Sequence, residues 1–199
     1  MELDNALTER ERMLAGALYR ADDPELVRAR NRARRLLVDY AGTLGEEAER
    51  RGQLLRELLA GVGADVWIEP PFHCDYGSNI VLRDGVYLNA NCVILDCARV
   101  EIGASTLLGP AVQIYAATHP TDPHQRLAGL EYAAPVTIGE NVWIGGGAIV
   151  GPGVSIGENT VIGAGSVVLR DVAANTVAVG NPCHVVRELP LRPDAPKRS

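Results

Sequence analysis

The chain has 199 residues, a length that suits one main domain with a short appendage. Its formal net charge of -6 argues against a dominant cationic face of the kind on which binding to a phosphate backbone relies, and no stretch reaches the roughly 18 uninterrupted apolar residues of a membrane span. Hydrophobic residues make up 47%, yet there is a single Phe beside 21 Gly, so the core has to be built from small and β-branched aliphatics.

The start of the chain, MELDNALTER, is acidic and polar, unlike a signal peptide, and the cytoplasm is the expected location. Residues 1–61 read as helical. Thr8 followed by Glu9 and Glu11 resembles a helix start, and Asp22-Asp23-Pro24-Glu25 supplies a cap with Pro in the first turn. After Pro24, Leu26, Val27, Ala33, Leu36, Leu37 and Tyr40 recur near the helical period, with Arg28, Arg30, Arg32, Arg34 and Arg35 between them. That arginine run reads as a solvated face paired with nearby carboxylates, with an acidic partner as the alternative. A third helix spans about Glu46 to Leu59, and Gly61-Val62-Gly63 ends it.

Residues 62–190 follow another rule. Aliphatic residues fall at every sixth position, at Ile138, Ile144, Val150, Ile156, Ile162 and Val168, most of them followed by glycine. The same register appears at Ile102, Leu108 and Ile114, and more faintly at Leu82, Leu88 and Ile94. A six-residue period fits neither an isolated helix nor an alternating strand, but it suits a short flat strand plus a tight turn. Three such units close a triangular coil, and coils stack with parallel strands about 4.8 Å apart. The expected fold is therefore a β-solenoid with internal aliphatic ladders, too narrow for large aromatics. Residues 191–199 read as a flexible tail.

Two breaks in register stand out. Between Ile94 and Ile102 the step is eight, around Asp96-Cys97-Ala98-Arg99, and between Ile114 and Ile138 it is twenty-four. Residues 116–135 are expected to form a loop thrown out of the stack, and such excursions are disproportionately functional. The four cysteines, Cys74, Cys92, Cys97 and Cys183, contain no Cys-x-x-Cys pair and read as reduced thiols packed as small hydrophobes.

Taken in order, LAGALYRADDPEL, EPPFHCDYGSNI, YLNANCVILD, GPAVQIYAATHPTDPHQR, GLEY, APVTIGENVWIGGGAIVGPGVSIG and GNPCHVVREL cover nearly the whole chain. Together they resemble the maltose, galactoside and nodulation O-acetyltransferases of the hexapeptide-repeat superfamily. The resemblance implies a left-handed parallel β-helix behind a helical N-terminal piece, a homotrimer with sites between subunits, and acetyl-coenzyme A as donor to a hydroxyl of a small acceptor, a sugar above all. No metal, nucleic acid or membrane enters that expectation.

Acetyl transfer to an alcohol needs a base, and histidine suits that task near neutral pH. His119, held by Pro120 in the excursion, matches the family's catalytic histidine; an exposed loop histidine is the alternative. Asp75, Asn89, Asp96 and Glu131 resemble acceptor-pocket positions, with Glu131 placed to orient His119, and Asp22 resembles an N-terminal residue that reaches the acceptor. Cys97 stands where some members carry a second carboxylate. For the coenzyme, Gly146 and Ala164 match a groove of small residues, Trp143 a wall, Leu169 a backbone contact, and Arg170, His184 and Arg187 positions near phosphates.

Two rivals stay open at this point. One is a carbonic anhydrase of the same solenoid type, with His119 and His124 as two of three metal ligands; the third is missing at Arg83, and His73 lies ten residues further off. The other is a binding scaffold without catalysis.

Overall fold

The computed structural model describes residues 7–190 and is a parallel β-solenoid of six coils behind three N-terminal helices. The expected tail, residues 191–199, lies outside the described residues. No described helix is long and apolar enough to cross a membrane.

Helix α1 (Glu9–Leu14) starts on a capping box in which Thr8 accepts from the Glu11 amide and Glu11 accepts from the Thr8 amide. Helix α2 (Pro24–Ala41) starts with Asp23 accepting the Glu25 amide at 2.8 Å, and it buries Leu26, Ala33, Leu36 and Tyr40 while Val27 stays 37% exposed. Helix α3 (Ala48–Leu58) buries Leu55, Leu58 and also Arg51. The expected stop at Gly61 is corrected: the helix has already ended, and Gly61–Val62 is the first solenoid strand, paired with Val81 and Leu82. An apolar pair beside glycine satisfies a strand edge as well as a helix end, and a partner twenty residues away decides which.

The coils have three faces. The first stacks Gly61–Val62, Ile80–Leu82, Val100–Ile102, Val136–Ile138 and Ser155–Ile156. The second runs from Trp67–Ile68 through Tyr87–Leu88, Leu107–Leu108, Trp143–Ile144 and Val161–Ile162 to Thr176–Val179, and closes on an antiparallel strand, His184–Glu188. The third stacks His73–Cys74, Val93–Leu95, Gln113–Tyr115, Ile149–Val150 and Val167–Val168. All twelve expected ladder residues are at most 2% exposed, and the pairing puts Ile138 beside Ile102 and Ile156, and Ile144 beside Leu108 and Ile162. Cys74 continues the ladder under Ile94, which the aliphatic reading overlooked.

Every register break falls at one corner, where the third face turns into the first. Cys74 to Leu82 and Ile94 to Ile102 are steps of eight, Ile114 to Ile138 is twenty-four, and the last coil shortens there, with Val172 bridged to Ile156 four residues after Val168. The other two corners keep the six-residue step throughout. The extensions of successive coils therefore stack on one another, and α2 and the N-terminal strand Tyr19–Arg20 pack over them.

Candidate functional site

The largest extension is ordered rather than a plain loop. Ala117–Thr118 pairs antiparallel with Leu130–Ala133, helix α4 (Pro123–Leu127) joins them, and Tyr19–Arg20 adds a third strand through Tyr19 opposite Glu131. Sequence reading missed this hairpin because its outer strand comes from more than a hundred residues away. His119 follows Ala117–Thr118 directly and is exposed, while the next residue, Pro120, is buried. His124 lies on α4, its amide capped by Asp122 at 2.8 Å.

Beneath the hairpin lies a bonded polar cluster. Tyr19 is 0% exposed and its hydroxyl donates to Glu131 Oε2 at 3.0 Å. Cys97, from the corner of the second coil, donates its thiol to Asp75 Oδ2 of the first coil at 3.5 Å and lies against the Tyr19 hydroxyl. Burial pushes the Cys97 thiol up to about 12, with the Tyr19 hydroxyl opposing and the Asp75 charge adding to the rise. Burial likewise raises the Tyr19 phenol far above its ordinary value and the Asp75 carboxyl above the usual carboxylate range, the latter opposed by the Cys97 hydrogen bond and the Arg30 charge. Arg30 on α2 donates to Tyr76 Oη at 2.7 Å and to the carbonyl of Ala21 at 2.6 Å, so the turn that carries Asp22 is tied to the corner that carries Asp75.

Glu131 accepts the Tyr19 hydroxyl through Oε2, and it lies next along the strand from Tyr132, the register partner of Thr118, which precedes His119. The expectation for Asp96 is corrected. It is 0% exposed, and its two carboxylate oxygens accept the amides of Asp75 at 3.1 Å, Tyr76 at 2.8 Å and Asn79 at 3.2 Å, which turns it inward as an anchor of the corner below. Burial raises its pKa to about 6 in spite of those amides.

Asn89 lies elsewhere, at the corner between the second and third faces, where its side chain accepts the Ala90 amide at 2.8 Å. That corner is the one lined with small residues. Gly146 approaches the carbonyl of Pro110 in the coil before, and the Gly165 amide donates to the Gly146 carbonyl at 3.0 Å, which stacks Ala164 on Gly146. A Cβ on the neighbouring Gly145 would come within 2.5 Å of the Ala164 amide nitrogen, so the close stacking requires glycine there. His184 closes the same edge beside Gly180, with its ring at Pro182. The backbone groups and open space beside Gly147 and Gly165 fit a long amide-bearing chain such as pantetheine.

Trp143 stands on the second face, 55% exposed, between Leu107 and Val161. Leu169, 60% exposed, packs on Gly151 next to exposed Arg170 at the excursion corner, and Arg187 is exposed on the final strand opposite Val177. Within one chain the candidate residues thus form two groups, one at each edge of the third face: Asp22, Asp75, His119, Glu131, Leu169 and Arg170 on one side, and Asn89, Gly146, Ala164 and His184 on the other. Among the described residues no three His, Cys, Asp or Glu side chains gather as metal ligands. Tyr19, Arg30 and Tyr76 belong to the first group; Tyr19 and Tyr76 were not singled out from sequence, and Arg30, read there as part of a solvated face paired with carboxylates, bonds a hydroxyl and a carbonyl instead.

Comparison with known proteins agrees with this architecture. Residues 12–63 match the maltose acetyltransferase hexapeptide capping motif, and residues 135–170 match the bacterial transferase hexapeptide family of six repeats. The chain is 56% identical to nodulation protein L of Rhizobium meliloti over 178 residues, 89% of this chain and 97% of that protein. It superposes on a maltose O-acetyltransferase from Clostridium difficile 630 with a TM-score of 0.92 at 48% identity, covering 94% of this chain and all of that one. A galactoside acetyltransferase solved in complex with coenzyme A gives a TM-score of 0.88 at 40% identity, with 92% of each chain covered. With these relatives spanning almost its full length, the chain belongs to the maltose, galactoside and nodulation acetyltransferase family of hexapeptide-repeat proteins.

Proposed function

We propose that this acetyltransferase moves the acetyl group of acetyl-coenzyme A to a hydroxyl of a small sugar, with His119 as the general base. The observation that supports the reading is the stacking of the chain extensions at one corner, where exposed His119 follows strand Ala117–Thr118 and the paired strand Leu130–Ala133 carries Glu131 of the polar cluster. The half-buried carboxylates of Asp75 and Glu131 offer acceptors to a polyol presented there, and a sugar lacking one of its hydroxyls would lose such a bond. The thioester supplies the activated acyl group. His119 takes the hydroxyl proton as the C–O bond forms and returns it to the departing thiolate. The names of the relatives, a maltose and a galactoside acetyltransferase, support a sugar acceptor, and the coenzyme A complex supports the donor.

The split of candidate residues between two edges of the third face supports a homotrimer. A groove walled by the His119 corner of one chain and the small-residue corner of the next would unite both groups, with Gly146 and Ala164 along the pantetheine, Trp143 as a wall, and Arg170, His184 and Arg187 toward phosphate. The experiment is free-thiol release from acetyl-coenzyme A across maltose, glucose, a methyl β-galactoside and chitobiose, with non-sugar alcohols and amines beside them. Turnover confined to amines would overturn the hydroxyl assignment; a fully active monomer in light scattering would overturn the shared groove.

A further inference from the structure

Tyr19 occupies the point where four separate parts of the chain meet: its own N-terminal strand, the excursion hairpin at Glu131, and the corners of two coils at Asp75 and Cys97. The side chain is fully buried, so its hydroxyl has to be bonded or it would cost as much as a lost hydrogen bond. Filling the space alone would need only a phenyl ring. What the hydroxyl adds is a bond to Glu131, directly opposite Tyr19 in the strand register, beside its contact with the Cys97 thiol.

The strand that leads into His119, Ala117–Thr118, has Leu130–Ala133 as its neighbour, and the far side of Leu130–Ala133 is covered by Tyr19–Arg20. At its base the hairpin is joined to the stack by the Ala116 amide on the Leu95 carbonyl at 3.1 Å. Strand pairs of two residues are marginal on their own, and the side-chain bond adds a second tie across the pair. A base misplaced by about 1 Å loses on the order of a hundredfold in rate, and its support is correspondingly valuable.

We propose that Tyr19 is a positioning residue: its hydroxyl latches the excursion hairpin, and with it His119, onto the solenoid corner that carries Asp75. The proposal rests on the reading of His119 as the base. The test compares Tyr19→Phe, Glu131→Ala and the double variant in the full-length protein. Hydrogen exchange of amides 117–133 is expected to accelerate roughly tenfold in each single variant, with no further gain in the double. With maltose and a methyl β-galactoside as acceptors, kcat falls roughly tenfold in Tyr19→Phe while the KM for acetyl-coenzyme A is unchanged.

Hairpin exchange that matches the parent protein in Tyr19→Phe overturns the latch, whether or not either sugar is turned over. Faster exchange spread evenly over the coils overturns it too, because that marks a general loss of stability. His119→Ala assayed in parallel separates the two readings. Full activity in His119→Ala removes the base and leaves the hairpin result standing, whereas an inactive His119→Ala beside a fully active Tyr19→Phe removes the latch alone.

Discussion

The carboxylate of Asp96 accepts the backbone amide of Tyr76 at 2.8 Å across the gap between two adjacent coils. With the Asp75 and Asn79 amides it holds the whole corner of the first coil. Burial nonetheless places its pKa at about 6, above the ordinary 3.8 of an unfolded aspartate. The folded chain therefore holds a proton there that the unfolded chain has lost between about pH 4 and 6, and the contribution of this group to stability falls as pH rises through that window. In Asp96→Asn the fall is absent. The gap in unfolding free energy between parent and variant should narrow by about 2 to 3 kcal/mol from pH 4 to 7 as the parent loses this contribution, measured by urea unfolding. A gap independent of pH would refute the raised pKa.

Arg51 is 3% exposed and forms no ion pair among the described residues; its guanidinium lies between the rings of Tyr40 and Trp67, 4.7 and 4.4 Å from their centroids, and donates to the Ile68 carbonyl at 2.6 Å. It joins α3 to α2 and to the first coil. Arg51→Ala should cost roughly 3 kcal/mol through lost cation–π contact, lost hydrogen bonds and a cavity. Exchange should rise first in α2 and α3, and an unchanged melting temperature would count against this account.

Ile156 sits in the first-face ladder, 2% exposed, beside Ile138. Ile156→Asp puts an unpaired carboxylate among aliphatic chains and should destabilise the fold by several kcal/mol. Ser155→Asp, one position earlier and exposed, should change it by less than about 1 kcal/mol. Equal effects at the two positions, followed by circular dichroism on heating, would contradict the register.

His119 and His124 are five residues apart in one hairpin, yet they differ in what they are expected to do. His119→Ala should lower kcat by roughly 10² to 10⁴ with coenzyme binding retained, the usual weight of a general base. His124→Ala should leave turnover within about twofold of the parent, since the residue stands on the outer helix. Equal, large losses at both positions together with stoichiometric zinc would overturn the general-base assignment in favour of the metal enzyme.

How far the sequence reached depends on the range over which each feature is decided. The ladder from Ile138 to Val168 was legible because one aliphatic per six residues is a local pattern. The caps at Thr8 and Asp23 were legible for the same reason. Gly61–Val62 was misread because its partner, Val81–Leu82, is a whole coil away. The excursion was marked correctly as the break in the repeat, but its strands depend on Tyr19, far upstream. Arg51 and Asp96 were illegible as buried residues, since a charged side chain reads as solvated until its partners are known. His119, Asp75 and Glu131 came from resemblance, and which of them touch had to await the fold.

The confinement of every length change to a single corner has a bearing on how such a chain diversifies. Two faces and two corners keep the six-residue step while the third corner adds two, two and eighteen residues to that step in successive coils. Material inserted there leaves the ladder in phase, so new acceptor-recognition hairpins could be grafted without redesigning the stack. The small-residue corner has no such freedom, because its coils are in backbone contact at Gly145 and Gly146. One edge of the molecule is thus open to variation in chemistry and the other is held to a single shape.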